Sequence, residues 1–158
     1  MNNCKMCQML REGSLARNLP NLVLEHERAV VAVNRRPAAP GHITIILKSH
    51  LDRTGAMQDD VWHGVGSLLG QLASLLEKRF QPSRVILLCD GKRSAHVHLH
   101  LIPEPAGREL SLPDVIADLN AATRTATLSD SEIAALVGEV RSDLGSPALA
   151  SNAVPTLT

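Results

Sequence analysis

Aromatic residues are nearly absent: the 158-residue chain has Trp62, Phe80 and no tyrosine. Its core must therefore be aliphatic, and it offers no aromatic platform on which the bases of a single strand can stack. Net charge is also absent, with 16 basic residues against 16 acidic ones. That removes the long-range field a nucleic acid or an anionic membrane would respond to, so neither partner is expected. There is no apolar run of about 18 residues, and the N-terminus lacks the basic-then-apolar pattern of an export signal. A cytoplasmic location is the corresponding expectation. Cysteine is scarce and odd in number, at three. In a reducing compartment such a count fits a metal or thiol role better than a disulfide framework.

Histidine is concentrated instead. His96-Val97-His98-Leu99-His100-Leu101-Ile102-Pro103 alternates three imidazoles with aliphatics. Period two is the signature of a strand with one buried face. Val97, Leu99 and Leu101 then enter a core, and His96, His98 and His100 share the opposite face. Same-face neighbours lie about 6.5–7 Å apart, close enough for one pocket. Imidazole changes charge near neutral pH, carries protons, attacks phosphorus and ligates metals. A solvated strand face or an adventitious metal patch is the plain alternative for such a pattern.

The other motif is Cys4-Lys5-Met6-Cys7. Two thiolates at this spacing can grip one zinc ion from a tight turn. A thioredoxin-like redox pair is the rival reading, but nothing upstream supplies the strand such a motif follows.

Between these motifs, Leu22–Leu24 and Ala29–Val33 read as short strands, with His26 in the solvated turn joining them. Asn34–Gly41 is a loop by its proline and glycine content. Ile43–Leu47 is an almost continuously apolar strand of central-sheet character. Val61, Val65, Leu68, Leu69, Leu72, Leu75 and Leu76 form one stripe of a helix over 58–79, which Pro82 stops; His63 falls off the stripe. Gly64, Gly66 and Gly70 on that helix permit close approach of a second element, internal or from another copy. Val85–Cys89 is the next strand, with Cys89 read as a small core residue, and Asp90-Gly91 signals a hairpin into the histidine strand. Pro113–Leu119 and Ile133–Leu144 read as C-terminal helices, the second capped by Ser129. From Gly145 the chain has the composition of a disordered tail.

The histidine stretch resembles the signature of the histidine-triad (HIT) family of nucleotide hydrolases and transferases, His-φ-His-φ-His-φ-φ with φ apolar. The block from Asn34 to His50 is similar to a second landmark of that family, Asp-x-x-Pro-x-x-Pro-Gly-His, a strand, then Pro-Lys-x-His. Asn34 stands at the usual acidic position and Leu47 at the usual proline. The early Cys-x-x-Cys resembles the zinc-containing prokaryotic branch. The order of elements and the resemblance agree on an α+β fold. An antiparallel sheet of about five strands packs against one long helix, with C-terminal helices added. The expected organisation is a HIT-like domain over 1–106, a helical extension over 107–144 and a tail over 145–158.

The resemblance implies roles. His98 is the nucleophile that attacks the α-phosphorus and carries a nucleotidyl intermediate, while His100 and His42 support it. Cys4, Cys7, His50 and His96 form a closed Cys2His2 zinc site, structural because no ligand position is left open. Asn34 faces the ribose. The loop that usually contacts the phosphate is cut to Asp90–Ala95, leaving Lys92, Arg93 and Ser94 as candidate nucleotide contacts. The expected partner is a nucleotide-type small molecule, and the expected assembly a homodimer. The competing reading is a non-catalytic nucleotide-binding or zinc-stabilised interaction protein that keeps the fold.

Overall fold

A computed structural model describes residues 4–11, 21–89, 94–120 and 127–145. Among these the elements run α1 (Lys5–Arg11), β1 (Leu22–Glu25), β2 (Ala29–Val33), β3 (Ile43–Leu47), α2 (Asp59–Phe80), β4 (Arg84–Leu88), β5 (His98–Glu104), α3 (Leu112–Asn120) and α4 (Asp130–Leu144). The five strands form one antiparallel sheet in the order β1-β2-β3-β5-β4. The fold is α+β, as the sequence implies.

Alternation gives the sheet two different faces. Val31, Ile43, Ile45, Leu99 and Leu101 point one way and meet Val65, Leu68, Leu72, Leu75 and Leu76 of α2. Burying each such side chain stabilises the fold by roughly 1.5–3 kcal/mol before entropy is counted. Ile133, Val137 and Val140 of α4 enter the same core, so the C-terminal helix packs with the sheet rather than beside it. The capping box expected at Ser129 forms with Glu132.

The opposite face carries the histidines, flanked by two smaller apolar clusters. Met6 and Leu10 of α1 pack on Leu22, Val30 and Ile46. At the other end Val115 of α3 and Leu110 cover Ile86, Ile102 and Ala39. Glu104, at the end of β5, is buried, and its Oε2 accepts from the Leu110 amide at 2.9 Å and from Arg84 at 3.0 Å. The Leu110 amide, with Arg84 adding to it, holds this carboxyl below the usual glutamate range.

Several expectations shift. The histidine strand begins at His98 rather than His96, because the Val97 amide turns to the Leu51 carbonyl instead of continuing the ladder. Cys7 lies in a short helix rather than in a tight turn. Cys89 is exposed, not a core residue: it follows the end of β4, which is an edge strand among the described residues. Gly66 and Gly70 are exposed, with nothing near an added Cβ. Lys92, Arg93 and the rest of the turn over 90–93 lie outside the described residues, as does the expected tail from 146 on.

Candidate functional site

The two sheet faces place the histidines by register. Thr44 pairs with His100 and Ile46 with His98, so these four share a face. His98 and His100 are buried at 8% and 6% exposure. Their rings lie edge-to-face with centroids 5.1 Å apart. His42 joins them from the end of the 34–42 loop. The loop turns at Gly41, where φ is +82° and an added Cβ would come within 2.5 Å of the Phe80 ring. Glycine is needed there both for the left-handed backbone and for the space.

Hydrogen bonds fix how each ring carries its proton. The Ala38 amide is an obligate donor and sits 3.1 Å from His42 Nδ1. That nitrogen must hold a lone pair, so the His42 proton is on Nε2. His42 Nε2 lies 2.9 Å from His100 Nδ1 and donates to it, which places the His100 proton on its own Nε2. His98 is set the other way. Its Nδ1 lies 2.7 Å from the His96 carbonyl, which can only accept. His98 therefore carries its proton on Nδ1 and its lone pair on Nε2. Two neighbours on one strand thus present opposite groups, a nucleophilic nitrogen and an N–H donor.

Asn34 is half-buried beside this network. Its Oδ1 accepts the Arg36 amide at 2.9 Å, so its Nδ2 must be the group 3.1 Å from Thr44 Oγ1. Thr44 Oγ1 is in turn 3.4 Å from His100 Nδ1. Ser94 is half-buried, and its carbonyl accepts the His96 amide at 2.7 Å, which bends the chain ahead of the strand. Thr44 is the residue that the sequence reading passed over. It lies within an otherwise apolar run, and only register shows its partner.

His96 belongs to a second cluster. Cys4, Cys7, His50 and His96 bring one ligand atom each to within 4.8 Å of one another. Sulfur-to-nitrogen distances are 3.5 Å from Cys4 to His96, 3.4 Å from Cys7 to His96 and 3.2 Å from Cys7 to His50. Tetrahedral bonds of about 2.0–2.3 Å to sulfur and nitrogen imply separations of roughly 3.3–3.8 Å between ligand atoms. These three distances lie in or close to that range and the full set spreads to 4.8 Å, so four ligands of the right kind could close on a small divalent ion with a modest shift. Both histidines present Nδ1. His96 Nε2 donates to the Leu47 carbonyl at 2.7 Å, the outer contact that orients a ligating imidazole. Burial holds the His96 imidazole below its ordinary pKa, which favours the neutral, ligating form. The other two histidines stand apart: His26 accepts the Arg28 amide in its turn, and His63 is exposed on α2.

Comparison with known proteins identifies the family and the fold. The HIT domain family matches residues 17–107, more than half of the chain. An uncharacterised 16.1 kDa HIT-like protein of Mycoplasma pneumoniae is 28% identical over 109 residues, covering 65% of this chain and 72% of that protein. Among solved structures, a zinc-bound histidine triad family protein from Mycobacterium smegmatis superposes with a TM-score of 0.59 at 19% identity, covering 89% of this chain and 96% of that one. The diadenosine triphosphate hydrolase of Plasmodium falciparum superposes with a TM-score of 0.62 at 15% identity, covering 79% and 76%. With its histidine strand, its antiparallel sheet and this match, the chain belongs to the HIT domain family.

Proposed function

We propose that the protein hydrolyses or transfers the nucleotidyl group of a nucleotide conjugate, a dinucleoside polyphosphate or a nucleoside phosphoramidate, through an intermediate on His98. The observation that carries this reading is the opposite proton placement on His98 and His100. The His98 Nε2 lone pair attacks the α-phosphorus, and the P–O or P–N bond to the leaving group breaks. The Nδ1–H bond to the His96 carbonyl stabilises the positive charge that develops on the ring. His100 Nε2–H, backed by His42, donates to the phosphoryl oxygens or to the departing atom. Water then attacks the nucleotidyl-imidazole, releases a nucleoside monophosphate and returns the His98 lone pair.

In this reading Asn34, Lys92, Arg93 and Ser94 contact the nucleotide. Asn34 Oδ1 has a second lone pair for a ribose hydroxyl. Cys4, Cys7, His50 and His96 hold a structural zinc ion, which ties α1 to the sheet and supplies no step of the reaction. The setting is cytoplasmic. The assembly is a homodimer joined at the β4 edge: Leu87 there is 54% exposed, whereas the β1 edge is capped by Arg141, which donates to the Leu22 and Val23 carbonyls. Sedimentation as a single chain would contradict the dimer.

The test of function is turnover of adenosine 5′-phosphoramidate and of diadenosine polyphosphates. Wild type should release AMP, and His98→Ala should abolish release while nucleotide binding stays within about tenfold, because the attacking group rather than ground-state affinity is lost. Tight nucleotide binding by a wild type that never turns over would favour the non-catalytic alternative.

A further inference from the structure

Thr44 is the one hydroxyl on the histidine face of β3, and it is buried at 8% exposure. Burying a hydroxyl costs free energy unless it is hydrogen-bonded. Its surroundings settle its direction. The Arg36 amide can only donate, so it fixes Asn34 Oδ1 as the acceptor and turns Nδ2 toward Thr44. Thr44 Oγ1 thus receives a proton from Asn34, and its own proton is available for another acceptor. His100 Nδ1 stands 3.4 Å away. His42 Nε2–H reaches that same nitrogen at 2.9 Å.

We infer that Thr44, oriented by Asn34, is a positioning residue for His100: its hydroxyl is a second donor to His100 Nδ1 and holds that ring with its proton on Nε2. The inference rests on the proposed reaction for its consequence in turnover, but not for the ring geometry itself. A proton on Nδ1 would face the His42 N–H, which the Ala38 amide keeps a donor, and would cost the Thr44 hydroxyl its acceptor, forcing its proton to turn away. The anchor also reaches beyond the strand. Asn34 and His42 bracket the 34–42 loop; His42 meets His100 directly, and Asn34 reaches it through the Thr44 hydroxyl. Register keeps Thr44 opposite His100 whatever the loop does. His42 is a donor at the end of the loop; Thr44 is one within the strand.

The experiment is nitrogen-15 NMR of the imidazoles in the full chain, with turnover measured beside it. Thr44→Val keeps the branched shape and removes the hydroxyl, and Thr44→Ser keeps the hydroxyl. In wild type the His100 nitrogens should show a fixed Nε2–H pattern. In Thr44→Val the His100 Nδ1 signal should move from its wild-type position as one of its two donors is lost, and kcat for the phosphoramidate should fall roughly tenfold with KM within about twofold, the loss expected of one hydrogen bond. Thr44→Ser should restore both. Asn34→Ala removes the orienting donor and should shift the same nitrogens less; it is the second variant should Thr44→Val fold poorly. Unchanged His100 signals in Thr44→Val, or a serine variant that behaves like valine, would overturn the inference. A wild type with no turnover on any nucleotide conjugate would instead remove the proposed reaction and leave the nitrogen signals to decide the role of Thr44.

Discussion

His96 and His98 are two residues apart, yet their rings do different work. His96 sends Nε2–H to the Leu47 carbonyl and turns Nδ1 into the cysteine cluster. His98 sends Nδ1–H to the His96 carbonyl and keeps its lone pair on Nε2. The side chains are the same, and the difference is which ring nitrogen meets a backbone carbonyl. His100 makes the point again, because there Nδ1 meets a donor rather than an acceptor. One short segment thus serves a candidate metal centre on one side and a candidate reaction centre on the other. His96 belongs to both, its ring to the first and its main-chain carbonyl to the second.

If the two centres are separate, each can be broken alone. The largest effect should come from the metal side. Cys4→Ser, or exhaustive chelation, should remove about one zinc per chain and lower the melting temperature on the order of 10 °C, because metal binding is part of folding free energy. Turnover per folded molecule should change far less. Metal analysis, calorimetry and an active-site titration check the three parts. Equal losses of stability and of chemistry per folded molecule would show that the centres are not separable.

A smaller break is expected on the reaction side. Gly41→Ala places a side chain where φ is +82° and the Phe80 ring stands in the way. It should cost about 1–3 kcal/mol of stability and displace His42, lowering turnover while metal content stays at wild-type level. Denaturant unfolding and metal analysis together read this out.

The smallest effect concerns the far end of the histidine strand. Glu104 has its pKa lowered by the Leu110 amide and by Arg84. A depressed folded pKa means that the unfolded chain binds the proton more readily, so the contribution to stability is present above the unfolded value and is lost as pH falls through the folded one. Wild type should therefore lose stability in acid more steeply than Glu104→Gln, and the two should differ most near neutral pH. Thermal melts across that range test it, and parallel curves would contradict it. Zinc content is expected to be alike in the two proteins at neutral pH.

Much of this was legible in the sequence, for identifiable reasons. Alternation put His98 and His100 on one face. Cys-x-x-Cys spacing named half of a metal site. The 3.6-residue stripe found α2 to within a residue at each end. What could not be read depends on backbone partners and strand order. No pattern announces that the Ala38 amide reaches His42, or that the His96 carbonyl meets His98. Cys89 looked like a core residue because the hairpin it ends is apolar; only the order β1-β2-β3-β5-β4 puts β4 at an edge. α1 was missed because a seven-residue helix is too short to be stable by propensity alone. Its formation depends on Met6 and Leu10 docking on Leu22, Val30 and Ile46. Thr44 is hidden by its apolar neighbours in the same way, since only what stands across the sheet shows its partner.

The most direct test of the central claim, that His98 is the attacking imidazole, is to trap the intermediate. Wild type mixed with a nucleoside phosphoramidate and quenched in base, where phosphorus–nitrogen bonds survive, should gain the mass of one nucleotidyl group. Peptide fragmentation should place it on His98, and His98→Ala should gain nothing. A nucleotidyl group found on His100 or His42, or an adduct that persists in His98→Ala, would contradict the account.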